Sequence, residues 1–72
     1  MTNVEKDWIL SLPLDRKIML MESMLEQKEI GHYLGFVKIL LDAPISKGGV
    51  STETIDKVFK KYYPDSKNPS IN

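Results

Sequence analysis

Among its 72 residues this sequence holds no cysteine, one histidine, one tryptophan and one arginine. Each scarcity excludes something. Without cysteine there is no disulfide and no thiolate zinc site. His32 has no second histidine or cysteine with which to hold a metal, and sequence places no nucleophile beside it. No apolar run approaches the roughly 20 residues of a membrane span. The opening residues include Glu5, Lys6 and Asp7, unlike a secretory leader. No membrane partner is expected, and a cytoplasmic setting is. Net charge is also missing, because ten basic and ten acidic residues cancel, which removes any global attraction to nucleic acid. The charge is unevenly spread. Residues 1–42 carry five basic and seven acidic groups, whereas residues 43–72 carry five lysines and three acids.

What is present is helical patterning. Thr2-x-x-Glu5 fits a capping box. Val4, Trp8 and Leu12 follow at four-residue spacing and predict one apolar face on a first helix, over 3–11. Pro13 ends it and suits the first turn of the next. A second helix is predicted over 14–29. Leu14, Ile18, Met21 and Leu25 fall within about 60° of one another, and Leu20 and Met24 widen that stripe to roughly 160°. Met19 falls outside it, among Asp15, Ser23 and Glu26. Gly31 is the expected left-handed residue between this helix and a third, over 32–42. The third helix is apolar around most of its circumference, interrupted only by Gly35, Lys38 and Asp42. Such a helix is normally buried, so it is placed at the centre of the fold. Pro44, Gly48 and Gly49 mark a loop. Ser51 or Thr52 caps a fourth helix, over 52–62, with Ile55, Val58, Phe59, Tyr62 and Tyr63 on one face. Lys57, Lys60 and Lys61 occupy the other face. The fold class is therefore a compact all-α bundle of four helices. Residues 1–63 form the single domain, and 64–72 are expected as a mobile tail.

Three site patterns fail on spacing. "SKGGVST" has the glycines, lysine and helix start of a phosphate loop but lacks the preceding strand and the glycine-to-lysine interval. The segment from Ile39 to Tyr62 resembles an EF-hand in outline, yet aligning Gly48 with the loop glycine puts Ala43, Ile45 and Lys47 at ligand positions, and none offers a carboxylate. A helix-turn-helix needs a short turn before a polar recognition helix. Here the short turn precedes the apolar third helix, and the lysine-bearing fourth helix follows a loop of about ten residues. No catalytic residue, cofactor-binding residue or metal ligand is assigned, and no cofactor is expected.

The remaining signal is surplus apolar surface. The third helix presents a roughly 220° apolar arc that three shorter or one-faced neighbours must cover. Methionine suits adaptable interfaces as well as irregular cores. The expected role is a small non-enzymatic regulatory or adaptor protein that binds another protein. Met19, Leu20 and Met24, with Tyr33 and Ile39, are its candidate contact residues. A homodimer through the same patch is one form of that contact. The alternative is a DNA-binding regulator that uses Lys57, Lys60 and Lys61, although nucleic acid is not the favoured partner.

Overall fold

A computed structural model describes residues 3–70. Four helices follow in order: α1 (Asn3–Ser11), α2 (Leu14–Glu26), α3 (Ile30–Asp42) and α4 (Thr52–Tyr62). A 3-10 turn at Ile45–Lys47 precedes α4. The described residues contain no strand. The Thr2 half of the predicted capping box lies outside the described residues.

The core centres on α3, as its sequence requires. Tyr33, Phe36, Val37, Ile39 and Leu40 are all buried. Each large apolar side chain so placed stabilises the fold by about 1.5–3 kcal/mol relative to exposure. α1 and α2 pack against α3, and α2 also packs against α4. Met21 and Leu25 contribute from α2, and Ile55, Val58 and Phe59 from α4. The α4 start is held by Ser51, whose hydroxyl accepts from the Thr54 N–H at 3.2 Å.

Two local expectations are corrected. The junction between α2 and α3 does not use Gly31, which lies inside α3. Lys28 takes the left-handed conformation instead, at φ 58°. Its N–H and that of Glu29 close back on the carbonyls of Leu25 and Met24, at 3.2 and 2.8 Å. This is a Schellman closure with lysine where glycine is usual. It ends α2 three residues early and starts α3 two residues early.

The second correction concerns α1. Val4 and Trp8 do not face inward; they are 78% and 59% exposed, while Ile9 is buried. The apolar spacing was real but marks the outer face. The helix is short and docks through its last turn, so the orientation of that turn decides which side is covered.

Lys17 sets that orientation. It lies on α2 one turn before Met21 and is 5% exposed. Its ammonium donates to the Leu10 carbonyl at 2.9 Å and to the Gly48 carbonyl at 2.8 Å. Leu10 O belongs to the otherwise open C-terminal end of α1, where a cation is favoured. Gly48 has φ 97°, and a Cβ there would run into the Leu10 carbonyl. Helix α1, helix α2 and the loop before α4 therefore meet at one buried charge. Val50, next in the loop, is buried and donates its N–H to Leu40 O at 3.0 Å. Leu14, expected in the core stripe, is displaced to the surface at 54% exposure.

The segment expected as a mobile tail makes contacts with the bundle. Its described part, 64–70, lies against the bundle. Asn68 is 3% exposed, and its Oδ1 accepts from the Tyr33 hydroxyl at 3.2 Å and from Ser70 N–H and Oγ at 3.1 and 2.6 Å. Lys60 also donates to the Ser66 carbonyl. Residues 64–70 thus cover part of α3 that the helices leave open.

Lys17→Met keeps most of the aliphatic stem but removes the ammonium. Two carbonyls at the junction then lose a charged donor, and a hydrogen bond to a charged group contributes about 1.5–3 kcal/mol. Urea unfolding should show a loss of about 2–4 kcal/mol. A loss below about 0.5 kcal/mol, the range of an ordinary surface change, would mean that Lys17 does not hold the junction.

Candidate protein-binding surface

With Ile9 turned inward, Trp8 stands on the outside of α1. It separates two apolar grooves. One, of about 320 Å³, lies between α1 and α2 and is lined by Trp8, Leu12, Arg16, Met19, Leu20 and Ser23. The other, of about 340 Å³, runs from Trp8 and Leu20 across Met24 to the exposed side of α3 at Gly31, Gly35 and Phe36. Met19 is 55% exposed, while Leu20 and Met24 are half-buried packing neighbours of the core. Beyond their chain neighbours and the helix's own backbone, nothing lies within 4 Å of where a Cβ on Gly31 or Gly35 would sit, so the α3 floor of the groove is low at these two positions.

Three of the five expected contact residues, Met19, Leu20 and Met24, therefore lie together. The other two do not join them. Tyr33 is fully buried and Ile39 is 9% exposed, although Ile39 edges an adjoining groove. A helix apolar nearly all round gives no sign of which side its neighbours will cover, and these two face the side that they do cover. The sequence reading also missed Trp8, Leu12, Gly31 and Gly35. Signals for them existed: the four-residue spacing on α1, and two glycines four apart on a helix otherwise filled with large side chains.

Charged groups elsewhere are locally engaged. Lys61 reaches across to α2 and pairs with Glu22 at 2.9 Å, which raises the pKa of its ammonium. Lys57 lies 3.7 Å from Glu53, one turn earlier. Lys60 holds the Ser66 carbonyl. The expected lysine face is thus divided among an interhelical pair, an intrahelical pair and a contact to the 64–70 segment. His32, exposed on α3, donates through Nδ1 to Glu29 Oε2 at 2.9 Å. Among the described residues, no three His, Asp or Glu side chains converge as metal ligands would. No described helix is long and apolar enough to cross a membrane.

No protein-family model, curated protein or solved structure matches the chain.

Tyr33 has a structural role that can be tested. Its ring packs 5.9 Å from that of Phe59, and burial raises its pKa above the ordinary 10.0 against the lowering effect of its bonds to Ser70 and Asn68. The unfolded chain thus loses this proton more readily than the folded one. The associated stability is complete below the ordinary tyrosine value and is lost as pH rises from there through the raised folded value. Tyr33→Phe should cost about 1 kcal/mol at neutral pH through the lost hydroxyl bond. It should also destabilise less steeply than the parent above pH 10. Tyr62, whose pKa burial also raises, acts equally in both proteins and cancels. Parallel alkaline stability curves for the two proteins would show that the buried hydroxyl contributes nothing.

Proposed function

We propose that this chain is a small, non-enzymatic regulatory or adaptor protein of the cytoplasm, which acts by binding another protein through the apolar surface around Trp8. One observation carries the proposal. The only tryptophan in the sequence stands 59% exposed between two apolar grooves, beside a methionine that is also more than half exposed. Exposed tryptophan is costly to leave in water and is enriched among the residues that dominate binding energy. Contiguous apolar surface on a small domain commonly marks an interaction site. The DNA-binding alternative draws less support, because each lysine of α4's basic face is already partnered within the chain.

Met19→Glu is the discriminating variant. Met19 lies outside the core, so its replacement should change stability by no more than about 0.5 kcal/mol. The parent protein, immobilised and exposed to lysate of its native host, should retain a defined protein that the folded Met19→Glu variant does not. Equal retention by both would remove this surface from the function. A sequence-selective, salt-sensitive DNA complex, abolished by Lys57→Glu, would replace the proposal with the DNA-binding one.

A further inference from the structure

The grooves beside Trp8 adjoin one another and make a row, a channel interrupted at Trp8. The first two share Trp8 and Leu20. The second shares Gly35 with a third groove of about 520 Å³, between α1 and the C-terminal half of α3, which is lined in part by Lys6, Lys38 and Asp42. From Gly31 to Asp42 the α3 floor runs about 17 Å, or three helical turns. The whole molecule is only 34 Å long.

Charge along this channel is segregated. Residues 1–42 hold more acids than bases, seven against five. Yet three of those five bases, Arg16, Lys6 and Lys38, line the channel, against one of the seven acids, Asp42. Arg16 stands toward one end and the two lysines toward the other. None of the three forms an ion pair among the described residues, unlike Lys57 and Lys61 on α4. The channel therefore combines an apolar middle, a low floor at Gly31 and Gly35, and an excess of one cation at each end: Arg16 at one, and Lys6 and Lys38 against Asp42 at the other.

We infer that the segment bound here is an amphipathic helix of the partner protein whose apolar face is flanked by acidic residues. The inference rests on the protein-binding reading above and names the partner's chemistry. An apolar helix face laid in a hydrophobic groove is an established mode of recognition, and complementary flanking charge sets its specificity and its rate. A second copy of this chain fits less well. A two-fold contact presents the same patch from both sides and brings the cationic rims toward each other. A single-stranded nucleic acid would match the cations, but the channel gives its bases one aromatic platform rather than a succession of them.

Two synthetic helical peptides of about 18 residues, roughly 27 Å long, test this. They share one leucine face and differ only in carrying glutamate or lysine at the flanking positions. Neither contains tryptophan, so Trp8 emission reports binding to the intact chain. The acidic peptide should bind at least about tenfold more tightly than the basic one at low salt, with the difference shrinking as screening grows. In the Lys6→Glu/Lys38→Glu double variant, with its helicity checked by circular dichroism, the preference should vanish or invert. Equal binding of both peptides would overturn the charge assignment and leave the protein-binding reading standing. Tighter binding of an oligo-dT strand than of the acidic peptide would assign the channel to nucleic acid and overturn both. Failure of both peptides, with sedimentation showing a dimer, would give the channel to a second copy. Failure of both with a monomer would overturn the inference, and retention of a host protein that depends on Met19 would then decide the broader reading separately.

Discussion

A single ammonium group sets the geometry on which the rest of this small bundle depends. Lys17 joins the end of α1 to the loop before α4 by donating to Leu10 O and Gly48 O from within α2. Burying a charge is expensive unless it is hydrogen-bonded. Here both acceptors are backbone carbonyls that would otherwise be difficult to satisfy, one of them at a helix C-terminus. Gly48 completes the junction because only a residue without Cβ can bring the loop against Leu10 with φ 97°. A 72-residue chain without disulfides has a thin stability margin, so a junction that fixes three segments at once carries much of the fold's specificity.

The exposed surface follows from that junction. With the end of α1 held at Leu10, Ile9 enters the core and Trp8 is directed away from it. α3 is then covered on its remaining sides by α2, α1, Val50 and the segment around Asn68. The surface that stays open combines the outer side of α1, the Met19 edge of α2 and the glycine-lined strip of α3. In this account the excess apolar character of the sequence is divided. Most of α3 is core, and the surplus appears on α1 and α2 instead of on α3, where the pattern first suggests it.

The helices and their order were legible because the apolar periodicity and the breaks at Pro13 and Pro44 are local signals. Met19 was legible for the same reason: it sits off the stripe of its own helix. What periodicity could not supply was the choice between two nearly equivalent faces. On α1 the Val4–Trp8–Leu12 stripe looks like a core face, and a tertiary contact at the helix end reverses it. Lys17 could not be foreseen as core, since a lysine on an amphipathic helix ordinarily reads as solvated. Lys28 was hidden by the usual preference for glycine in a left-handed cap, with Gly31 close by to satisfy the expectation. Asn68 lies in a segment without any periodicity, and its burial depends on a hydroxyl 35 residues away in sequence, on Tyr33.

The central claim is that the folded chain on its own leaves Trp8 open to a partner. Acrylamide quenching of the single tryptophan measures this directly. The account predicts strong quenching in the folded protein, little different from that in denaturant and unchanged from dilute to concentrated solution. A tryptophan shielded in the folded state and released only on unfolding would contradict it, because Trp8 would then belong to a closed core or to a pairing of identical chains.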